Sequence, residues 1–539
     1  MEKAAFNFGN DWFRKEKSRV RGTAFLNGIK TTQENLASWS SQILREDLPE
    51  KFGSANGFFS ALYWDGAEGW MAVDKIRSFP IFYGQKNGQL FISDDAHWVK
   101  ERVGNTEYDP LAKAEFLLAG YVTGADTLYP NVKQVQAGEI VSFKLDGDGT
   151  FCFSPVRYYR YIHKDYFQKT EEELLQIFDQ VLLDVFNRLI DFADGRTIVV
   201  PLSGGYDSRL IVLMLKRLGY DKLIAFSYGR EGNEEARISK EVAESLDIPW
   251  EFVPYTNEQW YGWYHSEEMK SYGDMADGCC ALPHIQDWPA VKKLKETGRI
   301  PKDSVFVPGL SADLPAGSRS KRLPRLYQEQ SLNRDLVLDS ILEYHYSLFD
   351  WSKQRKKLEP VFRERILRTL GNLDDFSESA GAFECWDIAE RQVKYINNSI
   401  RVYEFFGYAW WTPFWDEQFM AYWNRVLPRY RKKQQAYIKF VVSLGEDMGI
   451  KVLGQEAKDF SAIRKKDFLD KVKKSLPVVL KKTIKRAFSQ YYSKRLVQKF
   501  LRNDVLTVMG SFYVKEIEAF LLDGYQYNGI LASYYLSGF

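Results

Sequence analysis

The chain has 539 residues, 45% hydrophobic and 27% charged, and 74 Lys+Arg against 72 Asp+Glu leave a formal net charge of +2. So even a balance carries no electrostatic footprint for nucleic acid, and the length exceeds what one core supports, so two or three domains are expected. No apolar run near Met1 precedes a small-residue cleavage site, and no later stretch approaches the uncharged span of about 18 residues that crosses a bilayer, so a cytoplasmic protein is expected.

Residues 22–150 read as short strands: FFSALYW at 58–64, GWMAVDK at 69–75 and IFYGQKNGQLFIS at 81–93. In the last, Asn87-Gly88 sits between two apolar runs, and that pair supplies the positive φ angles of a tight hairpin turn. A further β segment is expected at 138–154. From Thr170 the period lengthens, with Leu174, Ile177, Val181, Val185 and Leu189 on one helical stripe. Strand and helix then alternate: TIVVPL at 197–202, a helix from Asp207 closed by Gly219, LIAFSY at 223–228, and a helix over EEARISKEVAESLDI. Such βαβα order with short connections predicts a doubly wound parallel sheet. The remainder, from about 330, is mostly helical and aromatic-rich. A basic stretch from Arg464 to Arg502 places Leu480, Ile484, Ala487, Phe488 and Tyr491 at helical spacing. It reads as a solvated helix face, with an anionic membrane surface or an acidic partner as the alternative.

Cys152, Cys279, Cys280 and Cys385 lack paired CxxC spacing and nearby histidines, and the five histidines form no HExxH or HxH pattern. Neither a zinc site nor a disulfide framework is expected, and the thiols read as core or bystander groups.

The segment with the most chemistry is Leu202-Ser203-Gly204-Gly205-Tyr206-Asp207-Ser208-Arg209, between a predicted strand and a predicted helix. Adjacent glycines let backbone N–H groups converge, and the helix start adds orphan N–H groups and a positive dipole end, which together make an anion cradle. Ser203 and Ser208 can donate to pyrophosphate oxygens. Asp207 repels phosphate unless a cation lies between, so it implies magnesium. The GxxxxGK[ST] pattern of ordinary P-loops is absent. The loop instead resembles the SGGxDS motif of the ATP-pyrophosphatase family, whose members cleave ATP between the α and β phosphates while a substrate oxygen attacks the α phosphorus.

Further motifs narrow the resemblance. Val307-Pro308-Gly309-Leu310-Ser311-Ala312-Asp313-Leu314-Pro315-Ala316-Gly317 resembles the SGEGxDExxxG segment of glutamine-dependent asparagine synthetases, with Gly309, Asp313 and Gly317 matching. Pro413-Phe414-Trp415-Asp416 is similar to their PFLD, and Asn56-Gly57-Phe58-Phe59, Asp74 to Arg77, Pro80-Ile81-Phe82-Tyr83 and Ala137-Gly138 resemble motifs of their amino-terminal domain. The resemblance spans about 22–450. It implies an αββα sandwich of the N-terminal-nucleophile type at 1–165, a degenerate class II glutaminase, then an ATP-pyrophosphatase domain at 166–450 and a basic helical extension at 451–539. By this resemblance Asp207 and Asp313 are the catalytic pair and hold magnesium. Ser203, Gly204, Gly205 and Ser208 bind pyrophosphate, and Leu202, Ser227 and Gly309 meet the adenosine of ATP.

Several positions depart from the family pattern. A glutaminase of this type uses cysteine as its first mature residue, whereas Glu2 follows Met1 and the first cysteine is Cys152, so no glutamine hydrolysis is expected. Leu310 replaces a glutamate that serves as a proton acceptor, Ala409-Trp410-Trp411-Thr412 lacks a Glu-x-Arg, and Gln435 stands where a lysine is expected, with Lys433 and Lys439 nearby. Trp410, Trp411, Phe414, Trp415, Tyr422 and Trp423 read as core, with stacking on a larger, sugar-like acceptor as the alternative. The expected function is an amide ligase that adenylates aspartate or a related carboxylate and transfers it to ammonia or another amine. The rivals are a nucleotide-binding scaffold and a β-lactam-synthetase-like cyclase. A homodimer is the remaining partner expectation.

Overall fold

The computed structural model describes residues 3–450 and 489–537. Its first part contains β1 (Ala4–Asn7), β2 (Phe13–Lys15), β3 (Ser18–Leu26), β4 (Ile29–Lys30), α1 (Gln33–Gln42) and α2 (Leu48–Ser54). They are followed by β5 (Asn56–Trp64), β6 (Glu68–Val73), β7 (Phe82–Lys86), β8 (Gln89–Ser93), α3 (Ala96–Val103) and α4 (Pro110–Ala119). β9 (Lys133–Gln134), β10 (Glu139–Leu145) and β11 (Phe151–Arg157) complete it. One sheet runs β11-β10-β6-β5-β3-β2 with β4 paired to β3, and a second runs β1-β8-β7-β9. The β7–β8 turn at Asn87 and Gly88 takes φ of 52° and 74°, as the hairpin reading requires. The β segment expected at 138–154 is itself a hairpin, since β10 pairs antiparallel with β11.

The strands show why few of them alternate cleanly. Met71 and Val73 of β6 pack with Tyr83, Leu90 and Ile92 of the second sheet and with Ile81 just before it. Trp70 and Ala72, on the opposite face, pack with Leu36 and Ala37 of α1 and Leu48 and Phe52 of α2. On the far side of the second sheet Phe82 and Phe91 meet Val99 and Val103 of α3. The layers therefore run helix, sheet, sheet, helix, with both sheets apolar on both faces.

The second part begins with α5 (Glu171–Ala193), whose start is fixed by a capping box between Thr170 and Glu173. Its buried stripe is Leu174, Phe178, Leu182, Val185, Phe186 and Leu189. Ile177 and Val181, expected at its centre, flank it half-buried, because the large Phe178 and Phe186 rings take the deeper positions. Next come β12 (Ile198–Pro201), α6 (Tyr206–Arg217), β13 (Leu223–Gly229), α7 (Glu234–Ser245), β14 (Trp250–Pro254), β15 (Val305–Phe306) and β16 (Ala409–Trp410). These five strands form one all-parallel sheet in the order β14-β13-β12-β15-β16. The winding reverses between β12 and β15, and loops leaving the carboxyl ends of strands on either side of such a reversal diverge to open a crevice.

Helices dominate the rest of the described chain, including Arg334–His345, Arg355–Leu370, a π-helical Ile388–Ile396 and Gln435–Asp447. Ser489–Asn503, Val514–Leu522 and Tyr527–Ser537 follow, whereas the basic stretch between 464 and 488 lies outside the described residues. Among the described residues no helix is long and apolar enough to cross a membrane. The four thiols are free, with only Cys152 exposed.

Asp416, the last residue of the Pro-Phe-Trp-Asp motif, ties the two parts together. Its buried carboxylate accepts from Arg188 Nε and Nη2 of α5 at 2.7 and 2.8 Å and from Asn56 Nδ2 of β5 at 3.0 Å. It also caps the next helix through Gln418 N at 2.9 Å. Removing one partner of a buried pair leaves the other charge uncompensated, so Asp416→Ala is expected to cost about 3 kcal/mol or more. Chemical or thermal denaturation monitored by circular dichroism reads this as a lowered midpoint.

Candidate active site

The crevice at the winding reversal is built by the loop after β12 and the loop after β15. Ser203 to Gly205 leave the sheet and α6 starts at Tyr206, with Gly205 in the N-cap position offering no side-chain cap. The start of this 12-residue helix thus carries no side-chain cap, and its positive dipole end faces the crevice. Ser203 N donates to Ser208 Oγ at 3.0 Å, Gly205 N donates to Ser203 Oγ at 3.1 Å, and the two hydroxyls lie 3.2 Å apart. The hydroxyls expected to meet pyrophosphate are thus held at the cradle by the loop itself.

Gly205 has φ of −82° and Gly204 is not among the residues with positive φ, so neither is there for a left-handed turn. Their lack of a side chain instead leaves the cradle floor open for close approach. Gly309 has a sharper requirement. A Cβ there would lie 2.6 Å from Ser208 N and 2.9 Å from Ser208 Cα. The β15 loop therefore crosses directly against the start of α6, and only glycine fits.

That crossing brings Asp313 to Asp207. Asp313 N donates to Asp207 Oδ2 at 3.2 Å, and Tyr437 Oη, from helix Gln435–Asp447, donates to Asp207 Oδ1 at 2.9 Å. Burial, together with the nearby Asp313 charge, pushes the Asp207 carboxyl up to about 8. Two carboxylates supplying only oxygen donors, one of them paying to be ionised, suit a hard divalent cation such as magnesium. Leu202 lies at the end of the strand with its N–H on Phe226 O at 2.8 Å, which puts Ser227 on the adjacent strand at the same end of the sheet. The loops therefore bring together Leu202, Ser203, Gly204, Gly205, Asp207, Ser208, Gly309 and Asp313, with Ser227 beside them.

Several supporting groups carry no motif. Arg209 is fully buried, donates from Nη2 to Gly204 O and lies over the Tyr206 ring at 5.4 Å, bracing the loop from beneath. Behind Asp313, Arg319 Nη1 stands 4.0 Å from its carboxylate while Arg319 Nε donates to buried Asp387 at 2.8 Å. Gln392 joins Asp387 at 3.3 Å to Ser311 Oγ at 2.8 Å, and Ser311 holds a left-handed φ of 66°. A chain of charges and amides thus fixes the Asp313 loop, and its members lie tens of residues apart.

The missing lysine at Gln435 has substitutes in space. Lys321 Nζ donates to Gln434 Oε1 at 3.2 Å. Burial lowers its ammonium, Asp313 pulls it up and Lys433 opposes it, so both lysines share the Asp313 side of the crevice. Lys433 and Gln434 both adopt left-handed backbone, φ 56° and 62°, and Lys433 N donates to Ser320 Oγ at 2.7 Å. Lys439, by contrast, pairs with Glu171 at 3.4 Å. The aromatic set is core: Trp411 meets Phe58 at 4.5 Å and Phe192 at 4.4 Å between ring centroids, and Tyr422 Oη donates to Leu174 O at 3.0 Å. Trp410, Phe414, Trp415 and Trp423 are likewise buried.

The raised Asp207 value makes a signed prediction. Below about pH 4 the carboxyl is protonated in both folded and unfolded chains and costs nothing. Between there and about 8 the unfolded chain releases a proton that the folded chain keeps, so stability falls as pH rises. In divalent-free buffer, Asp207→Asn is expected to be increasingly more stable than the parent across this window. Paired melting curves at several pH values check it.

Comparison with known proteins agrees with this geometry. Residues 190–276 match the family model described as asparagine synthase. Asparagine synthetase [glutamine-hydrolyzing] 1 of Bacillus subtilis (strain 168) is 26% identical over 244 residues, 43% of this chain and 35% of that protein, so the chain matches about a third of its relative's length. Among solved structures, glutamine phosphoribosylpyrophosphate amidotransferase from B. subtilis aligns over 56% of this chain and 63% of that one, at 10% identity and a TM-score of 0.19. Glutamine-dependent NAD+ synthetase from Acinetobacter baumannii, in complex with ADP, aligns over 40% and 43%, at 12% identity and a TM-score of 0.17. At such scores these two carry no argument about the fold.

Proposed function

We propose that this chain, a distant member of the asparagine synthase family of ATP-dependent amide ligases, adenylates a carboxylate and transfers the acyl group to an amine. The observation that carries the reading is the Asp207–Asp313 pair set against the uncapped start of α6. ATP lies with its β and γ phosphates on the α6 N–H groups and the Ser203 and Ser208 hydroxyls. Asp207 and Asp313 hold magnesium, which when bound offsets the repulsion between the phosphates and the two carboxylates. The nucleoside runs along the carboxyl ends of β12 and β13, past Leu202, Ser227 and Gly309.

A carboxylate oxygen of the substrate attacks the α phosphorus, the bond from that phosphorus to the bridging oxygen breaks, and pyrophosphate remains on the cradle. The amine nitrogen then attacks the acyl carbon, AMP leaves with the electron pair of the broken C–O bond, and the amine loses a proton. Lys321 and Lys433 lie on the Asp313 side and offset charge as pyrophosphate departs. Leu310 supplies no base, so the amine reaches the acyl-adenylate already neutral or loses its proton to solvent. Aspartate or a related acid is the carboxylate class, and ammonia or another amine the acceptor. The helix–sheet–sheet–helix layers support kinship of the amino-terminal part with N-terminal-nucleophile glutaminases.

Leu310 favours a second reading, a nucleotide-binding scaffold without turnover. The cyclase reading gains no base from the buried Tyr327–Glu384 pair. Tyr327 Oη donates to Glu384 at 2.5 Å, but Arg431 at 2.8 Å and His163 at 2.6 Å share that carboxylate. Burial alone would raise Glu384, yet Arg431 and His163 hold it down to about 2, and it accepts no proton at neutral pH.

Pyrophosphate release measured with a panel of carboxylates and amines tests the proposal. Release that requires one carboxylate, falls at least about a hundredfold in Asp207→Ala and less steeply in Lys321→Ala supports ligase chemistry. ATP binding with no release under any combination leaves the scaffold reading.

A further inference from the structure

A second cluster lies away from the nucleotide crevice, where the amino-terminal layers meet the parallel-sheet part. A cavity of about 480 Å³ opens there, lined among others by Asp95, His97, Asp274, Asp277 and Gly278. At its wall a ligand atom from each of His97, Asp277 and Cys279 lies within 4.8 Å of the other two. Imidazole nitrogen, carboxylate oxygen and cysteine sulfur form the mixed donor set that zinc accepts. Bond lengths of about 2.0–2.3 Å require ligand atoms about 3–4 Å apart, within reach of side-chain adjustment.

We propose that His97, Asp277 and Cys279 form a binding site for one zinc(II) ion, with a fourth coordination position facing the cavity. His97 comes from the first turn of α3, and the other two ligands come from a turn 180 residues later, so the ion clasps the two parts of the chain. The turn itself is specialised. Gly278 and Cys279 both have φ of 50°, a left-handed conformation that is strained for a cysteine, and the turn sets the thiol beside the carboxylate two residues earlier. A Cβ on Gly278 would lie 2.7 Å from Phe82 Cζ, so β7 packs directly against this turn.

The surrounding groups orient the ligands as an outer shell does. Cys279 N donates to Asp277 Oδ1 at 2.9 Å and Tyr535 Oη donates to Oδ2, fixing the carboxylate. Asp95 accepts from His97 N at 2.9 Å and caps α3. Without the ion, His97 Nε2 faces Asp277 Oδ1 at 2.9 Å, and burial, with the Asp277 charge, keeps the Cys279 thiol protonated. Binding releases the thiol proton to solvent as the sulfur–zinc bond forms. Neutral imidazole, carboxylate and thiolate then balance the two positive charges, leaving a neutral cluster in a buried place. Asp95, Asp274 and Lys100 are further charged groups facing it.

The full chain, stripped with a chelator and titrated with cobalt(II), tests the site. The expected result is one cobalt per chain with a thiolate-to-metal charge-transfer band and tetrahedral visible bands, displaced by zinc(II). Both His97→Ala and Cys279→Ser should weaken uptake by about tenfold or more, with the band lost in the latter. His97 is partly exposed, so its variant should keep the parent's circular dichroism and lose only the rise in melting temperature that zinc gives the parent. Cys280→Ser, which alters the neighbouring thiol, and Asp207→Ala should leave the band intact. No cobalt uptake by the parent, a band surviving Cys279→Ser, or one lost in Cys280→Ser instead would overturn the proposal.

Discussion

The buried carboxyl of Asp207, with the Asp313 charge beside it, is the constraint on which the rest of this structure depends. Burial first, and the neighbouring charge second, disfavour its ionised form, and Asp207 holds its proton up to about 8. The fold retains the arrangement by over-determining it. Gly309 lets the β15 loop lie against the start of α6, Tyr437 donates to one Asp207 oxygen and the Asp313 backbone to the other. Arg319, Asp387, Gln392 and Ser311 then brace the Asp313 loop from behind. In the proposed reading a cation and a polyanion between the two carboxylates relieve the cost of ionising Asp207.

The parallel sheet supplies the position. Strands β13 and β14 lie on one side of β12 and strands β15 and β16 on the other, so the two loops carrying the aspartates leave the sheet on either side of the reversal. The amino-terminal layers contribute no residue to that crevice in the proposed mechanism. They are joined to the parallel-sheet part by Asp416 and by the Trp410 and Trp411 packing against Phe58. In this chain the Pro-Phe-Trp-Asp segment is a joint between the two parts.

The backbone layout of the crevice was legible because it is local. Ser203 to Gly205 form the turn between a four-residue strand and a helix whose first residues include Asp207 and Ser208, and this strand–loop–helix order is written in consecutive residues. The β7–β8 hairpin was legible at Asn87-Gly88 for the same reason. What escaped is non-local. Lys321 near the place left by Gln435, and the His97, Asp277 and Cys279 group, are assembled from segments up to 180 residues apart, which spacing rules along the chain cannot see. The α5 stripe shows a milder form of the same limit. Periodicity located the helix, but the volumes of Phe178 and Phe186 set which edge of it faces inward.

Titration calorimetry of ATP, with and without magnesium, on the parent chain and on Asp207→Asn tests the central claim most directly. The account predicts weak binding of ATP alone to the parent, a large gain with magnesium, and loss of most of that gain in Asp207→Asn. Equal affinity for ATP in the presence and absence of magnesium, or a magnesium gain unaltered by Asp207→Asn, would contradict it.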